Sequence, residues 1–158
     1  MNRKEIIDLV ENKYFGQVAA GDIGNVMSCF TADAGVTIRH GDNPVREFHP
    51  SGKGGKTNLR QFYEHLCGNY DAWFGDFVHF VDAENNRSAC TFTVKLKPKP
   101  DSQYIGKGTQ VLQNCNFFFY EDAVISGMTI YYSNSAAGVA EAGQRTPTGY
   151  PPAGWQAR

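Results

Sequence analysis

Charge of one sign is what this chain lacks most plainly: 15 Lys and Arg stand against 16 Asp and Glu in 158 residues, a formal net charge of −1. Without a one-signed field nothing draws in nucleic acid or an anionic bilayer, so neither is expected as a partner. No apolar run approaches the length of a membrane span. The opening Met-Asn-Arg-Lys-Glu-Ile-Ile-Asp carries charge where a secretory signal would have its apolar core. A soluble, cytoplasmic protein is the expectation. Cys29, Cys67, Cys90 and Cys115 form no C-x-x-C pair and no zinc-type spacing with histidine, so free thiols and no metal are expected. "SGKGGKT", residues 51–57, has Pro50 where a P-loop needs its first glycine, and no strand pattern leads into it, so nucleotide hydrolysis is not expected.

Aromatic surface is present in excess. Phe and Tyr, 11 and 8 of them, exceed what a small domain needs for ordinary packing, which leaves rings for a ligand or a partner. The length suits one domain that buries about two thirds of its unfolded surface.

Ile7, Val10, Tyr14 and Val18 recur at helical spacing over residues 3–20. Gly21 ends that helix and Asp22 caps a second, with Ile23, Val26 and Phe30 on its face. The Asp33-Ala34-Gly35 stretch reads as a turn into a short strand carrying Val36 and Ile38. Residues 41–56, with four glycines and two prolines, read as a long loop. A third helix is predicted from Asn58, with Gln61 completing a possible capping box and Leu59, Phe62, Tyr63 and Leu66 as its buried stripe. The period then changes to two, and residues 73–82, 88–97, 104–120 and 124–132 read as four strands of an antiparallel meander. The last two strands are apolar on both faces. One face meets the helices, and a second subunit is expected on the other, giving a homodimer. From residue 133 to 158 the chain is an Ala/Gly/Pro-rich tail; Tyr150, Pro151, Pro152 and Trp155 leave open whether it is free or anchored.

Tyr14, "AAGD" at residues 19–22, Phe30 and "ADA" at 32–34 resemble the opening of ketosteroid isomerase and many SnoaL-like proteins. "YEDAVIS", residues 120–126, resembles their closing F-x-D-G-K-I hairpin. With the element order, these motifs identify residues 1–132 as a member of the SnoaL-like, nuclear transport factor 2-like superfamily, which also includes scytalone dehydratase. The resemblance implies an α+β, cystatin-like cone barrel with three helices of the N-terminal half packed on a curved antiparallel sheet, and an apolar pocket at the wide end. A hot-dog domain would instead set one long helix among the strands. The isomerase pattern places its oxyanion tyrosine at Tyr14, its general base at Ile38 and its acidic donor at or near Asn116. With no carboxylate at position 38, steroid isomerisation is not expected.

"QNCNFFFYED", residues 113–122, sets amides among rings. If Phe118 and Tyr120 face inward, so do Asn114 and Asn116, where they would meet either a ligand's carbonyl or hydroxyl, or structural partners within the fold; a one-residue bulge would turn Gln113 and Cys115 inward instead. His79 shares parity with Phe77 and Trp73 and is the candidate general acid or base, with Trp73 stacking on a flat ligand. Phe92, Phe118 and Phe62 complete the expected cavity wall. His40, two residues past Ile38, stands at the expected rim, either as a substitute base or as a solvated strand end. His49 and His65 read as surface residues. Two functions follow. One is an acid/base isomerase, cyclase or dehydratase acting on a small hydrophobic molecule without metal or organic cofactor. The other is a non-catalytic ligand-binding or dimeric assembly domain.

Overall fold

The first helix, α1 (residues 3–20), begins at a reciprocal cap, the Asn2 side chain accepting from the Glu5 N–H at 3.0 Å while the Glu5 carboxylate accepts from the Asn2 N–H at 2.8 Å. A computed structural model of the chain describes residues 1–41 and 43–133. In it α1 spans residues 3–20 as three continuous pieces: Arg3–Asp8 and Gly16–Ala20 are α-helical, and Leu9–Phe15 between them is π-helical. The π segment buries Leu9, Val10, Tyr14 and Phe15 together. At about 100° per residue a regular α-helix would spread these four over roughly 240° of its surface; the wider turn narrows that arc toward the sheet. Ile6 takes the core position expected of Ile7, which is half-buried. Gly21 closes α1 in the left-handed region (φ 72°), where only glycine is unstrained. Asp22 then caps α2, Ile23–Ser28, by accepting from the Asn25 N–H.

Strand β1 runs Phe30–Arg39, so the expected Asp33-Ala34-Gly35 turn is instead a bulge within a strand, its register against the last strand shifting between Phe30 and Gly35. The expected loop, residues 41–56, holds a four-residue strand, β2 (Arg46–His49), antiparallel to β1, and just past its end the two-residue β3 (Thr57–Asn58) pairs with β2. His49 is therefore buried rather than superficial; its ring accepts from the Ser51 N–H and its Nε2 lies 3.7 Å from Asp33. Helix α3, Leu59–Asn69, is capped by Asn58, which accepts from the Gln61 N–H. Strands β4 (Tyr70–Asp82), β5 (Arg87–Pro98), β6 (Gln110–Glu121) and β7 (Val124–Tyr132) follow; the residues just before β6 form a 3₁₀ turn, Ile105–Lys107, not strand.

The sheet order is β3-β2-β1-β7-β6-β5-β4. The meander pairs antiparallel as expected, while β1 joins β7 in parallel and so brings the first described strand beside the last described one. The helices cover one face, where Phe92, Phe118, Met128 and Ile125 are buried; the other face leaves Val78, Phe80, Phe117, Phe119 and Tyr131 exposed. All four cysteines are free thiols. Among the described residues no helix is long and apolar enough to cross a membrane. The tail beyond Ser133, with Tyr150, Pro151, Pro152 and Trp155, lies outside the described residues.

Candidate ligand-binding site

Between α1, α3 and the helix-covered face of the sheet lies a partly open cavity of about 290 Å³. Tyr14 and Phe15 reach it from the π segment of α1, Phe62 and Tyr63 from α3, and Phe92 and Val94 from β5. A wider depression of about 610 Å³ runs over β2, β3 and the start of α3, but it is a surface cleft along Arg46, Glu47 and Lys56 and holds no unpaired buried polar atom. The smaller cavity does. The Oδ1 atoms of Asn114 and Asn116, both lining it, are buried without a hydrogen-bond partner. The Asn116 amide nitrogen has only a weak acceptor, Met128 Sδ at 3.6 Å. A buried unsatisfied polar group costs about 1–3 kcal/mol, so two acceptors that no protein group satisfies, on residues lining one cavity, suit a ligand that brings a donor.

The cavity also contains a phenol pair. Tyr14 Oη and Tyr63 Oη lie 2.7 Å apart, and since one hydroxyl donates to the other, one O–H remains for a further acceptor. Burial pushes both phenols above their usual range. They are neutral donors at physiological pH, not bases. The same shift has a sign for stability: the unfolded chain releases these protons above its ordinary value of 10.0 while the folded state holds them. The contribution of the two phenols is therefore fully present below about pH 10 and lost above it, and the four thiols, which burial raises from 9.0, carry the same sign from about pH 9. Tyrosinate absorbance from Tyr14 and Tyr63 should appear together with unfolding in an ultraviolet titration followed by circular dichroism.

Asn114, Asn116, Tyr14, Phe92 and Phe62 line this cavity, as parity and helical spacing place them. Trp73 does not. β4 bulges between Gly75 and Val78, with Asp76 at φ 58°, so the parity of the strand inverts there. Phe74 faces the cavity in its stead, and the Trp73 indole lies outside, under Lys95 Nζ at 4.5 Å and across Gly75, where any Cβ would collide with it. Phe77 and Phe118 are in the ring cluster behind the cavity, against Phe15 at 5.5 and 6.4 Å between centroids. His79 points inward but is covered by α1. Its Nε2 donates to Glu11 Oε1 at 2.7 Å, its side chain is 6% exposed, and it does not line the cavity. His40 stacks on Tyr132 (4.1 Å between centroids, 15°) at the cavity mouth and does not line it either.

The sequence reading missed Phe74, Arg46 and Tyr132. Gly75-Asp76 inside a strand pattern is the signal for the bulge that turns Phe74 inward; Arg46 needed β2, which is too short to show a period. Arg46 Nη2 donates to Tyr132 Oη at 3.0 Å at the mouth. Among the described residues, no carboxylate and no imidazole lines the cavity, and no group of three or more His, Cys, Asp or Glu is placed to hold a metal ion.

No protein-family model matches the sequence, and no curated protein matches it. Solved structures do match the fold. A protein of Pseudomonas putida KT2440, provisionally named a polyketide cyclase, is 25% identical over 78% of this chain and 88% of its own, with a TM-score of 0.61. SalBIII, an epoxide hydrolase/cyclase-like enzyme in pyran ring formation in the polyether salinomycin, is 14% identical over 83% and 92%, with a TM-score of 0.60. A protein of Methylobium petroleophilum PM1 with a cystatin-like fold is 13% identical over 100% and 95%, with a TM-score of 0.60. At these identities the likeness is one of fold.

Proposed function

We propose that this chain, a SnoaL/NTF2-like domain by its fold, binds a small, largely apolar molecule bearing a hydroxyl group and promotes ring closure or isomerisation within it. The observation that carries this reading is the pair of unpartnered amide oxygens on Asn114 and Asn116 in a cavity walled mostly by rings and aliphatic side chains, with Arg46 and Gln110 as its other polar side chains besides the tyrosines. A ligand hydroxyl donating to either oxygen satisfies an acceptor that no protein group reaches, and an apolar body packs against Phe74 and Phe92. The spare O–H of the Tyr14–Tyr63 pair is a neutral donor for a ligand carbonyl. When a hydroxyl adds to a carbonyl of the same molecule, the new C–O bond forms as the carbonyl π bond opens, and the hydroxyl proton ends on the former carbonyl oxygen. No net base is consumed, so the protein's part is to hold the two groups together and stabilise charge on that oxygen. His79, bound to Glu11 outside the cavity, has no role in this step.

A second reading, ligand binding or assembly without turnover, is favoured by the lack of a carboxylate or imidazole among the described cavity-lining residues. Native mass spectrometry of freshly purified protein should reveal a bound small molecule. If that molecule is turned over, Tyr14→Phe should lower the rate about 10²–10³-fold, the effect of losing one oxyanion donor, with a smaller effect on binding. A molecule retained but unchanged by the wild-type protein supports binding without turnover, and a protein that neither retains nor binds small apolar molecules contradicts every ligand-binding reading and leaves only assembly.

The exposed outer face of the sheet supports a homodimer. Val78 and Phe80 of β4 are 53% and 62% exposed; Phe80 and Phe117 of β6 flank Ala89 of the intervening β5, and the Phe117 ring meets that of Tyr131 on β7 at 5.9 Å. Five large exposed apolar side chains on one sheet face are the kind of surface that a second copy covers. Sedimentation equilibrium should give twice the chain mass, and Phe80→Glu with Phe119→Glu should give one chain mass without altering the cavity. A monomeric wild-type protein at micromolar concentration would remove the dimer from the proposal.

A further inference from the structure

Arg46 is the one formally charged side chain among the described residues that line the cavity. Its backbone is held opposite Ile38 of β1, itself a cavity residue, so the strand pairing delivers the guanidinium to the mouth. There it is fixed by Tyr132, whose hydroxyl accepts from Nη2 at 3.0 Å and whose ring is backed by His40. Neighbouring charges do not neutralise it. Glu47 pairs with Lys56 at 3.9 Å, and Arg46 itself forms no ion pair among the described residues. A guanidinium has five N–H donors in a planar fork; with one committed to Tyr132, a complete two-pronged edge remains, the geometry that matches a carboxylate.

The geometry points to a carboxylic acid as the ligand, its apolar body inside the cavity and its carboxylate on Arg46 at the mouth. This deepens the proposed function and rests on the cavity being a ligand site. At the roughly 30 Å³ that a water-sized unit occupies in the liquid, the cavity of about 290 Å³ holds a body of about ten heavy atoms. That is the size of two fused rings. The molecule is thus amphiphilic, with a hydroxyl or carbonyl deep in the cavity facing Asn114, Asn116 and the phenol pair, and a charge outside.

The test compares 2-naphthoate with its neutral near-isostere 2-naphthamide, by calorimetric titration on the full chain. The wild-type protein is expected to bind the acid at least about tenfold more tightly, the scale of one charge-assisted hydrogen-bonded contact. Arg46→Gln should bring the two affinities within about threefold by weakening the acid much more than the amide, and the amide binding that persists shows that the cavity is intact. Arg46→Lys should keep part of the preference, because it retains the charge but not the fork. A measurement that needs no variant is salt: going from about 20 mM to about 500 mM should weaken the acid alone. Equal affinities in the wild-type protein, or a preference that survives Arg46→Gln, overturn the assignment of Arg46 and leave the ligand site standing. Failure of both probes to bind overturns the ligand site and this inference with it.

Discussion

Replacing Phe15 with alanine is expected to lower unfolding free energy by about 3–5 kcal/mol, the range for truncating a large aromatic side chain in a packed interior. The ring sits 4.6 Å from those of Tyr14 and Phe92, 4.7 Å from Phe74 and 5.5 Å from Phe77, so it joins helix α1 to both β4 and β5. It also forms part of the cavity wall. Its removal opens a void continuous with the cavity, into which the surrounding rings can relax only partly, and that residual space is why the cost exceeds simple transfer. Urea denaturation measures it. A loss under about 1 kcal/mol would mean that α1 is not held to the sheet through these rings.

Asn116→Leu is expected to act in opposite directions on stability and on binding. Asn116 is 1% exposed, its oxygen has no partner and its nitrogen has only Met128 Sδ. An apolar side chain of similar size removes the desolvation penalty of that orphan acceptor, so the ligand-free protein should gain about 1 kcal/mol. The same change deletes the acceptor proposed for the ligand's hydroxyl, so affinity for a hydroxyl-bearing ligand should fall about tenfold, one lost hydrogen bond at a desolvated site. An amide that served only the fold would give the reverse pattern: lower stability and unchanged affinity.

Much of this arrangement is legible in the sequence because it follows from short periods and caps. Asn114 and Asn116 could be turned inward on paper since no bulge interrupts β6 between them and Phe118, and the cap residues Asp22 and Asn58 act where they were read. Trp73 failed because one inserted backbone position at Gly75-Asp76 inverts every side chain before it. Phe15 was overlooked because a 3.6-residue period assigns it to the wrong arc, whereas the π segment buries it beside Tyr14. Contacts between distant residues leave no local trace: Glu11 and His79 are 68 positions apart, and their pairing takes the imidazole out of the candidate chemistry. Arg46 depended on β2, four residues that carry no recognisable alternation but add a strand through pairing to β1.

The central claim is that a hollow between α1, α3 and the sheet receives a small apolar molecule at its amide oxygens. A crystal structure of the protein soaked with 2-naphthol tests it most directly. The expected result is the ring system packed on Phe74 and Phe92 with its hydroxyl within hydrogen-bond distance of Asn114 or Asn116. A solid interior with the probe absent, or bound only on the outer sheet face, would contradict the account.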